Sequence, residues 1–234
     1  MTDHAGLRAA VARANNELAD AGLVVHSFGN ASQVDRAQGV FAIKPSGIPC
    51  STVSDEDIVV VGLEDDEVRW GDYRPSSDTP THRAIYNGLD TAGGVVHTHS
   101  RFATAWAQAR MPIPCLGTTH ADHFRGEVPV TRPLTAGEID GDYEANTGVV
   151  IVEMYGPGGL HPEEAPGALV ASHGPFAWAP TASAAVTMAS AIELIAEMAA
   201  YTVALRPDQP PLEDVLLDRH FSRKHGPMAY YGQR

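Results

Sequence analysis

The segment GGVVHTHSR sets two imidazoles, His97 and His99, one residue apart behind an apolar run. In an extended strand alternate side chains share a face, so both rings would stand on one side while Val96 and Thr98 face the other. Two nitrogen donors on a stiff element suit zinc, which takes imidazole ligands at about 2.0–2.1 Å. By spacing alone the pair suits half-exposed or hydrogen-bonded strand histidines better. A third imidazole shifts the balance. In GALVASHGPFAWA, His173 stands where an apolar run meets Gly174-Pro175. Three histidines can hold an ion and leave positions open for a substrate oxygen, which separates a catalytic site from a structural one.

Three polar clusters accompany the histidines. In PSSDTPTH, Ser76 and Ser77 precede a helix start, where unpaired N–H groups favour anions. Taken alone, that octapeptide serves helix capping as well, and Asp78 is open to use as a cap, a metal ligand or both. IKPSG adds Lys44 and the Ser46-Gly47 turn, and FGNAS adds the amide of Asn30. Each is an ordinary turn singly. Together they supply donors for a phosphate without making the chain basic.

The elements that must position these residues follow from periodicity. Leu7, Ala10, Val11, Ala14 and Leu18 keep helical spacing, which predicts a helix over residues 4–20 that stops at Gly22. Apolar stretches at 23–28, 40–44 and 58–63 read as strands. Thr79-Pro80 reads as a hydroxyl cap followed by proline, opening a helix that runs to about Leu89. Residues 93–99 read as a strand, 101–109 as a helix, 149–154 and 168–172 as strands. Met188, Ile192, Ile195, Ala199 and Thr202 share one face of a long helix over 181–205, and the tail from Pro210 is polar. Several strand links are too short for a crossover helix. The expectation is an α/β fold with a mixed, largely antiparallel central sheet flanked by helices, with residues 1–234 as one domain.

Composition excludes some functions. The formal net charge is −13 over 234 residues, the opposite of a nucleic-acid footprint. No apolar run approaches the roughly 20 residues of a membrane helix, and the N-terminal stretch lacks the apolar core of a signal peptide. A cytoplasmic protein without nucleic-acid or membrane partners is therefore expected. Cys50 and Cys115 are the only two cysteines. They form no CxxC pair, so neither a disulfide framework nor a thiolate metal site is indicated.

In order along the chain, GNASQVDR, IKPSG, PSSDTPTH, GGVVHTHSR, GTTHAD, ASHGPFAW and RKHGPMAYYGQ resemble the motifs of the L-ribulose-5-phosphate 4-epimerase family. That family belongs to the class II, zinc-dependent aldolase/epimerase superfamily. The resemblance runs from about residue 5 to the C-terminus. It implies that His97, His99 and His173 bind a catalytic divalent ion, usually zinc, with manganese or cobalt as substitutes. Asp78 falls at the position of an additional, displaceable ligand. Asn30, Lys44, Ser46, Gly47, Ser76, Ser77 and Thr118 fall where the family grips a phosphorylated ketopentose, and His220 and Arg223 match tail residues near it. Asp122 and Tyr231 match the acid/base pair. The resemblance further implies a homotetramer with four-fold symmetry, active sites between subunits and the tail tyrosine supplied by the neighbour. Ala31 and Ala179 depart from the valine and glycine common in the family, and neither departure removes a reactive group.

The residue types suit such chemistry. The C4 hydrogen of a ketopentose phosphate is not acidic, but loss of the C4 hydroxyl proton lets the C3–C4 bond break in a retro-aldol step. Re-addition to the other face of the aldehyde inverts C4, and opposite faces call for two proton-transfer groups. A class II aldolase of the fuculose-phosphate type would share the histidines and the phosphate pocket. Those aldolases carry glutamate where this chain has Asp78, and a shorter acid reaches the enediolate carbon less well. The adducin head, a non-catalytic relative, is disfavoured because every reactive side chain is kept. His120 and His123 read as loop residues and His225 as a solvated tail residue. His26, His82 and His161 carry no assignment.

Overall fold

The computed structural model describes residues 3–226 and 229–231. Its centre is one seven-stranded sheet. The strands are β1 (Asn30–Asp35), β2 (Val40–Ile43), β3 (Val59–Gly62), β4 (Val68–Trp70), β5 (Gly94–His97), β6 (Gly167–Leu169) and β7 (Pro175–Ala179). They lie in the order β4-β3-β2-β1-β5-β7-β6, and every pairing between them is antiparallel. The helices are α1 (Ala5–Asp20), α2 (Thr79–Gly88), α3 (Arg101–Ala109), α4 (Thr118–Ala121), α5 (Ala136–Asp140), α6 (Tyr143–Val152), α7 (Ala182–Leu205) and α8 (Asp214–Lys224).

Both faces of the sheet are covered, because alternate residues on the central strands point to opposite cores. Val96 and Ala177 join Leu18 of α1, Ala103 of α3 and the Ala185, Ala189 and Ile192 stripe of α7. Val95, Phe176 and Trp178 face the other way, onto Ile85 and Tyr86 of α2 and Ile151 of α6. His97 is two residues beyond Val95 and so emerges on the α2 side. That alternation decides which helices surround the candidate site.

Several sequence expectations give way to tertiary context. No strand forms at 23–28. The chain folds back over the end of α1 there, Leu23 N–H bonding the Leu18 carbonyl. Gly29 then turns it with φ 95°, where a Cβ would stand 2.9 Å from the His97 carbonyl. The polar NASQVD becomes β1 instead, because β2 and β5 supply ladders on both of its edges. The apolar run at 149–154 is helical, the end of α6 and a following 3₁₀ turn. It packs on α2 at Gly148, whose missing side chain leaves room for Ala84 and the Thr81 carbonyl. The cap of α2 is Asp78, one residue before the expected Thr79. The run at 168–172 is a strand only to Leu169. β4, β7, α4, α5 and α8 lay outside the expectations.

α7 corrects the expectation that no segment has the length and apolarity of a membrane helix: its 24 residues meet both criteria. In the sequence Glu193 and Glu197 interrupt the run. In the fold one stripe of α7 is core, and the Glu193 carboxylate accepts the first N–H groups of α3, from Phe102 and Ala103, at 2.9 Å each.

The N-terminus of α7 sits directly on β5. A Cβ at Gly94 would lie 2.3 Å from the Ala182 nitrogen and 2.4 Å from the Thr181 carbonyl carbon. Gly94→Ala must therefore push α7 off the sheet. The expected cost is about 1–3 kcal/mol, read as a lower urea midpoint with an unchanged slope.

Candidate active site

β5 ends at His97, so His99 lies beyond the ladder rather than within it. The two rings converge all the same, with 3.1 Å between their Nε2 atoms. His173 arrives from a tight turn after β6. Val170 N–H bonds the Gly174 carbonyl, and His173 N–H bonds the Val170 carbonyl. Ser172 adopts φ 66° in that turn. It is held by its N–H on the Ala107 carbonyl and by Arg110 Nε, which donates to Ser172 Oγ at 2.9 Å. The three ring centroids stand 4.8–5.0 Å apart, and one ligand atom from each lies within 4.8 Å of the others.

These donors fit a divalent cation. Two imidazole nitrogens bound tetrahedrally stand about 3.3 Å apart, close to the His97–His99 separation. His97 Nδ1 lies 3.0 Å from the Pro175 carbonyl, which fixes the proton there and leaves the Nε2 lone pair toward its neighbours. Burial pushes His97 down to about 3 and lowers His99 and His173 as well, so all three are held in the neutral form that binds metal. His173 Nδ1 is buried without a partner among the described residues. His97 is buried, His173 half-buried and His99 exposed, so the cluster opens to solvent on one side.

The phosphate candidates adjoin this cluster. Asn30 faces His97 across the β1–β5 ladder. Its Nδ2 donates to Asp78 Oδ2 at 2.6 Å and to Ser76 Oγ at 3.1 Å. Asp78 makes no side-chain bond to the helix it caps, which frees its carboxylate. Burial opposes its charge, but His97, His82 and the Asn30 amide outweigh burial and hold it below the usual carboxylate range. Lys44 is buried, its Nζ bonding the Pro45 and Ile48 carbonyls. Burial lowers its pKa against the opposing pull of Cys50 and Asp78. Ser46 N–H bonds the Arg74 carbonyl and Ser76 N–H bonds the Lys44 carbonyl, so the turn at Gly47, with φ 78°, lies beside the PSSD segment. Ser46, Gly47 and Ser77 are exposed at its rim.

Asp122 and the tail residues form a second cluster. Asp122 closes α4, and its carboxylate binds α8. Arg223 donates from Nε and Nη2 at 2.9 and 2.6 Å, His220 Nδ1 lies at 3.0 Å, and Lys224 Nζ at 3.5 Å. The Tyr231 ring lies under Arg223, 4.8 Å from the guanidinium, and its N–H bonds the Arg223 carbonyl. Tyr230 sits under Arg219 instead. His225, read as a solvated residue, is half-buried and bonds the Asp122 carbonyl through Nε2 at 3.0 Å. Thr118 lies apart from the other phosphate candidates and lines a cavity of about 240 Å³ with His120, Met198 and Thr202. Among the described residues no hydrogen bond or ion pair joins this cluster to His97, His99, His173 or Asp78. Pro227, Met228, Gly232 and Gln233 of the tail motif lie outside the described residues.

Sequence reasoning missed Lys224 as a partner of Asp122 and the buried chain Tyr86–Ser32–His82 behind β5. Only the alternation that sets Ser32 on the face of Asn30 hinted at the latter.

The Asp122 network has a pH signature. Burial works against ionisation, yet Arg223, His220 and Lys224 hold the carboxyl down to about 2. A lowered folded pKa gives stability that is complete above the ordinary value, about 3.9, and is lost as pH falls through the folded one. Acidification from about pH 4 to 2 should therefore release α8, read as faster proteolysis between residues 206 and 226. Asp122→Asn should show that faster cleavage already at neutral pH.

Comparison with known proteins agrees with this geometry. Residues 9–200 match the class II aldolase and adducin N-terminal domain family. The chain is 50% identical over 228 residues to L-ribulose-5-phosphate 4-epimerase UlaF of Salmonella paratyphi C, covering 97% of this chain and 99% of that one. The corresponding Salmonella typhi protein has the same identity and coverage. Among solved structures, an L-fuculose 1-phosphate aldolase superposes with TM-score 0.76 at 23% identity, covering 92% of this chain and 94% of that one. YgbL of Klebsiella pneumoniae, described as a putative aldolase/epimerase/decarboxylase, gives 0.72 at 22% identity, covering 94% and 99%. With the histidine cluster at the end of β5 and a family match that spans all seven strands, the chain belongs to the class II aldolase and adducin N-terminal domain family.

Proposed function

We propose that this protein interconverts L-ribulose 5-phosphate and D-xylulose 5-phosphate by cleaving and re-forming the C3–C4 bond. One observation carries the reading: an open three-imidazole cluster beside Asp78, in a chain half identical along nearly its whole length to proteins named as this epimerase. A divalent ion on His97, His99 and His173, zinc or in its place manganese or cobalt, supplies Lewis-acid stabilisation of negative charge on sugar oxygens.

The chain's own residues do the rest. Asn30, the Ser46-Gly47 turn, Ser76 and Ser77 hold the phosphate with neutral donors, and Lys44 adds one buried cation. Thr118, His220 and Arg223 are assigned to the substrate from the tail side. A base removes the C4 hydroxyl proton, the C3–C4 electrons move onto the dihydroxyacetone fragment as an enediolate, and glycolaldehyde phosphate is left. The aldehyde rotates, the enediolate adds to its other face, and an acid returns a proton to O4. Asp122, held ionised, and the Tyr231 phenol are the two proton groups, exchanging roles in the reverse direction. Arg223 and His220 occupy the Asp122 oxygens, so proton uptake there requires one of these contacts to open.

The two clusters meet, on this reading, across a subunit boundary. The assembly is a cytoplasmic homotetramer with four-fold symmetry, in which Asp122 and Tyr231 of one copy serve the histidines of the next. Two observations support it: the lack of a link within the described chain, and the exposed apolar stripe Leu194, Met198, Tyr201 and Leu205 on α7. Residues 1–234 act as one catalytic domain.

Incubation with L-ribulose 5-phosphate should give D-xylulose 5-phosphate, none after chelation, and again after zinc, manganese or cobalt is restored. Glycolaldehyde phosphate as the main product would instead identify an aldolase. Asp122→Asn should lower kcat by about 10²–10⁴ while bound metal, measured by atomic absorption, stays near one per chain.

A further inference from the structure

His82 is a buried titratable group that the proposed reaction leaves without a task. It is completely buried, as are Ser32 and Tyr86. The three form a chain: Tyr86 OH and His82 Nδ1 each lie 2.6 Å from Ser32 Oγ. Ser32 Oγ is the acceptor within reach of the Tyr86 hydroxyl, so Tyr86 passes its hydrogen to Ser32, and Ser32 passes its own to His82 Nδ1. The alternative direction leaves the Tyr86 hydrogen without an acceptor. Burial pushes His82 down to about 4, so the ring is neutral, and with Nδ1 accepting, its one proton is on Nε2. That Nε2 is buried with no partner among the described residues.

A buried donor left unpaired is costly, so a chain that spends two hydroxyls on fixing its tautomer calls for an acceptor. His82 lies one helical turn beyond Asp78, its N–H bonding the Asp78 carbonyl at 3.0 Å. Helical side chains lean toward the preceding turn, which carries the imidazole back over Asp78. Of the two Asp78 oxygens, Oδ2 takes the Asn30 amide and Oδ1 accepts no hydrogen bond among the described residues. His82 and His97 also flank one ring, His97 stacked on Phe176 at 4.2 Å and His82 edge-on to it at 6.2 Å.

We infer that His82 is a positioning residue for the metal centre, its Nε2–H reserved for the Asp78 carboxylate from the helix side as Asn30 holds it from the sheet side. The inference rests on the reading of the three histidines and Asp78 as that centre. His82 touches neither substrate nor ion. It acts by limiting where the carboxylate can turn, and so sets how readily Asp78 joins or leaves the ligand set.

The test is zinc affinity, measured by competition with a chromophoric chelator, for the intact protein and for His82→Leu, His82→Gln and His82→Asn. Loss of a hydrogen bond behind a ligand weakens metal binding by about 10–100-fold, and that is the drop expected for His82→Leu. Gln sets an amide nitrogen near the Nε2 position and should recover most of the affinity, whereas Asn reaches only the Nδ1 position and should not. If the leucine variant does not fold, the Gln–Asn contrast decides. In an Asp78→Asn background His82→Leu should have little further effect. Native affinity in a folded His82→Leu protein, equal Gln and Asn variants, or an undiminished loss in the Asp78→Asn background would each overturn the inference. Failure of the unaltered protein to bind zinc would overturn the metal reading together with it.

Discussion

Three strands meet edge to edge at the row Asn30–His97–Phe176, and the chemistry of this protein depends on that row. It sets the amide that holds Asp78 beside the first imidazole, and it sets that imidazole against an aromatic ring. The backbone comes so close here that side chains are excluded on both flanks. A Cβ at Gly29 would meet the His97 carbonyl at 2.9 Å, and one at Gly174 would meet the Thr98 carbonyl at 2.8 Å. Rigid ladders up to this edge, and loops immediately beyond it, let His99 and His173 converge on His97 without being part of the sheet. Function at strand ends on a fixed scaffold is the common use of such a boundary.

The charge distribution follows from the same arrangement. A chain with net charge −13 still sets mostly neutral donors beside the histidines: an amide, hydroxyls and turn N–H groups. Buried imidazoles kept neutral avoid mutual repulsion and keep lone pairs for a cation. The cations of the tail serve a different acid, clasping Asp122 and thereby docking α8. Two carboxylates thus have opposite settings. Asp78 is restrained by an amide on one oxygen and left open on the other, while Asp122 is saturated by charged partners. The second can take another partner only after one of its charged contacts opens.

Helix α7 carries a third constraint. Its N-terminus presses on β5 at Gly94, its middle caps α3 through Glu193, and its far end carries apolar residues outward. One element thereby ties the strand bearing His97, the helix that follows His99 and the surface proposed for assembly. Displacement of α7 is felt at the site even though α7 contributes no ligand.

Much of this was legible in the sequence. The types and order of His97, His99, His173, Asp78 and the flanking turns specified the family and the metal-binding chemistry, because those motifs are local and each needs only its own few residues. Strongly periodic helices, α1, α2, α3 and α7, were legible for the same reason. Tertiary structure alone decided the rest. NASQVD is a strand because two neighbours pair with it, and VVIVEM is helix because α2 packs on it, choices that short-range preference cannot make. The meeting of His173 with His97 required the β6–β7 turn to return beside β5. The separation of Asp122 and Tyr231 from the histidines, and the burial of His82 behind Asp78, depend on contacts between residues far apart in the chain. Sequence spacing fixed which groups exist. Packing fixed which of them lie together, since distance in space is set by the sheet and not by the chain.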